Sequence, residues 1–337
     1  ILNKSNNTFS EKIISWYEIN GRNDLPWRKN ISPYRVWISE IMLQQTQVKT
    51  AIPYFKRFIK QYPNFKQISF ASEEQILALW TGLGFYKRAK NIFRTKEIIK
   101  KDYRNKFPST FDELMALPGI GRSTAGAIMS IAYGGSYPIL DANVKKVISR
   151  YRNINLYDKN AIKELWLLSE SLTPKKNIFE YTQGIMDLGA LICNIRSPNC
   201  KECPLTNSCI SAFQNFEFNS KKKKDKSKRK IHFTLAHSNN TFLLFKKDEK
   251  TFWESLWVPF ENENLKKTKI FKKPTNSVTK NISHALSHID LDITIEIFNY
   301  SAPFKVKTNQ EHRWVSKNKI HNFGMPKPIK TIIEEYV

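Results

Sequence analysis

The chain has 337 residues, long enough for two domains, and 41% of them are hydrophobic, which is sufficient for ordinary cores. No run of about 18 apolar residues occurs, so no membrane-spanning helix is expected, and the polar start from Ile1 to Asn20 carries no signal-peptide pattern. The net charge of +25 points to a polyanionic partner, although Lys, Asn and Ile are abundant and Gly scarce, as a biased base composition would produce.

Residues 9 to 19 read as an amphipathic helix through Phe9, Ile13, Trp16 and Tyr17. A loop from Asn20 to Arg28 follows. A second helix is predicted from Tyr34 to Val48, with Trp37, Ile38, Ile41 and Met42 apolar. Glu40 lies among them as either a surface acid or a carboxyl in an apolar pocket with a raised pKa; periodicity alone favours the surface. Residues 52 to 80 are helical again, broken by Pro53 and Pro63. Trp80 to Tyr86 is a Gly-broken turn bearing apolar side chains, ahead of a basic helix from Lys87 to Lys101. Such a turn is suited to prying a duplex, or to tucking into a core.

Helical patterns flank Leu117-Pro118-Gly119-Ile120-Gly121-Arg122-Ser123-Thr124-Ala125. Proline and glycine stop the first helix, and Gly121 keeps side chains away from the N–H groups that open the second. An ordinary Gly-capped hairpin would look the same. The pattern resembles the helix-hairpin-helix of DNA repair enzymes (about residues 111–132), which grips a backbone phosphate without reading sequence. About twenty residues on, after Pro138-Ile139-Leu140, Asp141 precedes a new helical run and is read as its N-cap. Helices then run from Ile162 to Leu172 and from Phe179 to Cys193, and the region up to about residue 213 is nearly all helix.

All four cysteines, Cys193, Cys200, Cys203 and Cys209, fall within seventeen residues as C-x6-C-x2-C-x5-C. Without a secretory signal, disulfides are not expected; clustering alone fits tetrahedral zinc or an iron–sulfur cubane. This spacing resembles the [4Fe–4S] loop (193–209) of the endonuclease III and MutY glycosylases, which favours the cubane. Arg196 and Lys201 flank the first loop, placed to meet phosphates or simply solvated.

The stretch Lys221 to Lys230 holds eight basic residues and one acid, leaving +18 of the charge elsewhere. Beyond it the pattern alternates: Phe233 to Ala236 and Phe242 to Phe245 flank a Ser238-Asn239-Asn240-Thr241 turn, and Leu291 to Ile297 is a period-two strand. A second, sheet-rich α+β domain is expected. Trp253 to Pro259 resembles part of the Nudix fold, but the acid-rich metal-binding helix of Nudix hydrolases is absent, so a binding module is expected, not a hydrolase.

Taken together, Trp37 to Val48, Leu117 to Ala127, Ile139-Leu140-Asp141-Ala142-Asn143-Val144 and Met186 to Ala190, with the cysteine spacing, resemble the MutY-type adenine DNA glycosylases of the hairpin-Gly/Pro-Asp superfamily. The resemblance implies a helical glycosylase domain over 1–218, a basic linker over 219–230 and a Nudix-like domain over 231–337 that recognises 8-oxoguanine. It implies that Glu40 donates a proton to the departing adenine, against the surface reading, and that Asp141 stabilises the oxocarbenium-like sugar. Gln45, Leu83 and Phe85 match positions that fill or pry the gap, the family often having Tyr at the last. Trp27, Arg28, Leu43, Val48 and Gln183 match base-pocket positions, with Thr46 near the opposite base. Gly119 and Gly121 belong to the phosphate grip, and Asn143 follows the catalytic Asp141. Ser123 stands where bifunctional relatives carry a lysine, so hydrolysis without strand cleavage is expected. Leu286, Ser287 and His288 match the 8-oxoguanine loop, where the family usually has Phe at the first.

The expected activity is removal of adenine mispaired with 8-oxoguanine or guanine from double-stranded DNA, by a cytoplasmic monomer, nucleoid-associated in a prokaryote, that carries a [4Fe–4S] cluster and meets no membrane. A bifunctional endonuclease III-like glycosylase/lyase and a non-catalytic cluster-bearing DNA-binding protein are the alternatives.

Overall fold

In the computed structural model of the protein, residues 2–216, 226–249, 251–262, 271–286 and 289–336 are described. They form two compact units, Ile1–Phe70 with Arg94–Lys221, and Ala71–Phe93 with Lys222–Val337.

The first unit is built from helices. These are α1 (Leu2–Asn20), α2 (Pro33–Leu43), α3 (Val48–Gln61), α4 (Phe65–Ile68), then, beyond α5 (Glu73–Trp80) of the second unit, the end of α6 (Lys87–Asp102), and α7 (Phe111–Met115), α8 (Arg122–Ala132), α9 (Ala142–Arg152), α10 (Ala161–Leu172) and α11 (Ile178–Leu191). Phe9, Ile13, Trp37, Ile38, Phe55, Phe58, Ile128, Ile148, Leu165 and Leu188 fill the interior. Burial of such side chains is what offsets the entropy of ordering the helices.

Two expectations need correction. The helix expected over 34–48 ends at Leu43, because Gln45 adopts a left-handed φ of 55° that no helix continues, and α3 starts afresh at Val48. Pro53 does not break α3, which runs through it to Gln61. The buried Ala51, Phe55 and Phe58 hold that helix where proline removes one hydrogen bond.

Among the described residues the second unit carries a seven-stranded sheet: β1 (Ser227–Ser238), β2 (Thr241–Lys246), β3 (Trp257–Val258), β4 (Phe260–Glu261), β5 (Asn276–Ala285), β6 (Ile289–Asn299) and β7 (His312–Ser316). The main order is β3-β2-β1-β6-β5, with β4 on β1 and β7 on β2; β1 and β6 are parallel and the other pairs antiparallel. Asn239 and Asn240, at φ 44° and 62°, make the tight β1–β2 turn that favours Asn. On one face Phe233, Leu291, Ile293 and Ile295 pack with Ile329, Ile332 and Ile333, of which the isoleucines 329–333 come from α12 (Lys327–Glu335). On the other, Ala236, Leu243, Phe245 and Val306 form a smaller core. Among the described residues no helix is long and apolar enough to cross a membrane.

Candidate functional site

Helix α2 begins at Ser32, whose side chain caps Arg35 N at 3.3 Å, with Pro33 in the first turn. Its core stripe is Trp37, Ile38, Ile41 and Met42, all 1% exposed or less. The neighbouring stripe, Val36, Ser39, Glu40 and Leu43, has helical spacing and lines a cavity of about 120 Å³ within the first unit. Trp27, Arg28, Thr46, Val48, Asp141, Asn143 and Gln183 line the same cavity.

The two carboxyls in that cavity have unlike surroundings. Asp141 is the N-cap of α9, and its Oδ1 accepts the Val144 N–H at 2.8 Å. Burial raises its pKa, while the backbone N–H groups of Val144 and Asn143 and the charge of Lys146 oppose the rise. Glu40 has no such donors among the described residues. Burial first, and the Asp141 charge second, push its carboxyl up to about 8, with Arg28 pulling weakly the other way. The repulsion falls on Glu40, as it must if Asp141 loses its proton first. One acid is thus pushed toward its neutral form beside one whose backbone donors favour its charged form.

Arg28 is held in the wall by Asp187, which is fully buried and accepts from Arg28 Nη1 and Nη2 at 2.7 and 2.8 Å. Arg22 adds its Nε, Nη2 and backbone N–H to the same carboxylate at 2.8, 2.6 and 2.9 Å. Against burial, these two arginines hold the Asp187 carboxyl below its usual pKa. Trp27 packs edge-on to Phe55 at 5.6 Å. Sequence reasoning gave no site role to Arg22, Leu25, Ser39, Ile131 and Met186, which also line the cavity, or to the bracing Asp187, although Ser39, Met186 and Asp187 lie in stretches that carry the resemblance.

The hairpin has the expected form. Thr110 and Glu113 make a capping box at the start of α7, Gly119 turns the chain at φ 81°, and Gly121 caps α8. Gly121 has an ordinary φ of −93°, and a Cβ there would meet nothing within 4 Å. Neither backbone nor packing calls for glycine, so the space above it is open to an outside group. Ser123 Oγ accepts the Leu140 N–H at 3.0 Å, tying α8 to the segment that delivers Asp141. Gln45 is exposed beside the cavity-lining Thr46.

The four cysteines line one cavity with Arg150, Ile192, Pro198 and Thr206. Arg150 Nη1 donates to Cys193 Sγ at 3.3 Å and the Phe213 N–H to Cys200 Sγ at 3.5 Å. Among the described residues no three His, Cys, Asp or Glu side chains converge on a point that would hold a single metal ion. The thiols line that cavity, and Arg196 and Lys201 nearby are exposed.

Leu83 and Phe85 belong to the second unit, Leu83 buried and Phe85 exposed. Leu286 follows β5 and packs partly against the larger core, its N–H bonded to Ile289 O at 2.8 Å. Ser287 and His288 lie outside the described residues.

Comparison with known proteins matches residues 38–170 to the family described as HhH-GPD superfamily base excision DNA repair protein, and residues 232–335 to the NUDIX domain. The adenine DNA glycosylase of Buchnera aphidicola subsp. Schizaphis graminum (strain Sg) is 43% identical over 97% of this chain and 98% of its own. The human adenine DNA glycosylase is 35% identical over 60% of this chain and 39% of its own. Among solved structures, a thermostable thymine-DNA glycosylase is 29% identical with a TM-score of 0.56, covering 62% of this chain and 96% of that one. An endonuclease III in complex with DNA shares the fold at a TM-score of 0.52 and 22% identity, over 60% of this chain and 93% of that one. With a cavity that holds two carboxyls, formed by α2 and the start of α9, and a near-full-length relative at 43% identity, the chain belongs to the adenine DNA glycosylase family.

Proposed function

We propose that the protein is a monofunctional adenine DNA glycosylase that hydrolyses the N-glycosidic bond of adenine mispaired with 8-oxoguanine or guanine in duplex DNA. The observation that carries this reading is the single cavity shared by Glu40 and Asp141, one carboxyl pushed up to about 8 and the other supplied with hydrogen-bond donors.

The target adenine must leave the stack, at a cost of a few kcal/mol, and enter the cavity between Trp27, Leu43, Val48 and Gln183. Neutral Glu40 donates its proton to an adenine ring nitrogen. The electron pair of the glycosidic bond then leaves with the base, and positive charge grows on the sugar. Ionised Asp141 stabilises that charge until water adds to the anomeric carbon and gives its spare proton to the carboxylate that Glu40 has become. Glycoside hydrolases divide the work between two carboxyls in the same way. General acid catalysis contributes about 10²–10⁴-fold, and charge stabilisation and positioning the rest. Ser123 offers no amine to attack the sugar, so no Schiff base forms and the strand stays whole.

Gly119, Gly121 and the N–H groups opening α8 would receive a backbone phosphate. Phe85 and Gln45 would occupy the space left by the base, and Leu286, Ser287 and His288 would read the opposite 8-oxoguanine. Cys193, Cys200, Cys203 and Cys209 would hold a [4Fe–4S] cluster, with the two N–H···S contacts from Arg150 and Phe213 suited to sulfur ligands that carry charge. Bound there, the cluster would staple the loop after α11. The protein is proposed to act as a monomer.

The test is single-turnover base release from duplexes bearing adenine opposite each of guanine, 8-oxoguanine, cytosine and thymine, with and without alkali. Fast release opposite 8-oxoguanine and guanine, with strand breaks only after alkali, is expected. Strand breaks without alkali, or no release of adenine, would overturn the reading.

A further inference from the structure

The turn between α5 and α6 is stiff and strained. Gly82, Gly84 and Phe85 all have positive φ, at 94°, 79° and 49°, and for Phe85 that conformation is unfavourable unless its surroundings impose it. Trp80 Nε1 and Arg88 Nη2 both donate to Gly84 O, at 3.0 and 3.1 Å. The Arg88 guanidinium lies over both the Trp80 and Phe85 rings, at 5.3 and 5.4 Å. Phe85 is thereby presented outward, 44% exposed.

What imposes the shape comes from the far end of the chain. The Tyr86 hydroxyl accepts the Gly82 N–H at 3.3 Å and donates to Met325 O at 2.8 Å, a residue 239 positions away. The Met325 N–H donates to Thr81 Oγ1 at 3.2 Å, and that hydroxyl donates to Leu77 O of α5 at 3.2 Å. Met325 is fully buried in the core of the sheet with Trp257 and Ile329. Its neighbour Gly324 is pinned to β3, its carbonyl accepting the Trp257 N–H at 2.8 Å. A Cβ on Gly324 would stand 2.6 Å from Leu77 Cβ, so backbone and helix are in close contact. Lys90 of α6 adds an ion pair to Glu254. All these residues belong to the second unit.

We infer that the C-terminal sheet unit sets the shape of the duplex-prying turn, with Thr81 and Tyr86 as positioning residues, so that this unit governs adenine extrusion as well as reading the opposite base. The inference rests on the reading above that Phe85 enters the duplex. Neither hydroxyl touches DNA in this scheme; each fixes the backbone that carries Phe85.

The test uses the full chain and a duplex with adenine opposite 8-oxoguanine and 2-aminopurine beside the adenine, whose fluorescence rises as the stack opens. Stopped-flow fluorescence gives extrusion, chemical quench gives base release, and anisotropy gives binding. Tyr86→Phe and Thr81→Val each leave a polar backbone group without its partner, so extrusion should slow by about tenfold while binding stays at the parental strength. Thr81→Ser keeps the hydroxyl and should extrude at the parental rate. Parental extrusion by Tyr86→Phe and Thr81→Val would overturn the inference, as would equal losses of binding and extrusion, which would mark general loosening. Should Tyr86→Phe fail to fold, the Thr81→Val and Thr81→Ser pair decides. A parent enzyme that releases no adenine would instead sink the functional reading.

Discussion

At the scale of single residues, the decisive quantity is the proton on Glu40. Its carboxyl titrates near 8 in the folded chain, against 4.5 ordinarily. Between those values the unfolded chain has lost this proton and the folded chain still holds it. Stability from this group is therefore present below about pH 4.5 and is lost as pH rises through about 8. Glu40→Gln removes that dependence. Thermal melts should show the variant more stable than the parent by on the order of 1 kcal/mol at pH 8.5, allowing for partial exposure to the cavity, with the difference vanishing near pH 4.5. A difference that grows toward acid pH would contradict the assignment. The family resemblance marks this residue, but periodicity alone hides it, for a physical reason. Helical periodicity separates the stripe of Glu40, Val36, Ser39 and Leu43 from the core stripe, but it does not tell an internal cavity from open solvent. Asp187 lies in the matched stretch Met186 to Ala190, but its bracing role was hidden differently: its arginine partners lie 165 and 159 residues away, and long-range pairing leaves no local pattern.

At the scale of elements, local chemistry was easiest to read. Asp141 is the N-cap its position suggested, the Asn239–Asn240 turn joins the strands it was expected to join, and Leu291 to Ile297 alternates as a strand should. The α2 end was misplaced because the left-handed conformation of Gln45 has no glycine to announce it. The hairpin gives a prediction that separates packing from binding. Gly121→Ala meets no atom of the chain and needs no change of φ, so its cost should be a weaker cap alone, about 0.5–1 kcal/mol. If a phosphate sits over Gly121, the added methyl group should lower duplex affinity by about tenfold. Melting curves and anisotropy titrations check the two parts. Unchanged affinity would place the phosphate elsewhere.

At the scale of the whole molecule, the succession of a helical part and a sheet-rich part was legible from the change of period, whereas the grouping of Ala71–Phe93 with the C-terminal sheet was not. That grouping depends on bonds such as Tyr86 to Met325, which only the folded chain brings together. The loop of four cysteines calls for elemental analysis. Purified protein should carry about four irons and four acid-labile sulfides per chain; one zinc and no iron would replace the cubane with a tetrahedral site. The most direct test of the two-carboxyl scheme is kcat/KM for adenine release as a function of pH, which reports the free enzyme's essential groups. It should hold level near neutrality and fall about tenfold per pH unit above about 8, as Glu40 loses the proton it must donate. A value of kcat/KM that stays flat or climbs through pH 8 would mean that Glu40 is not the acid.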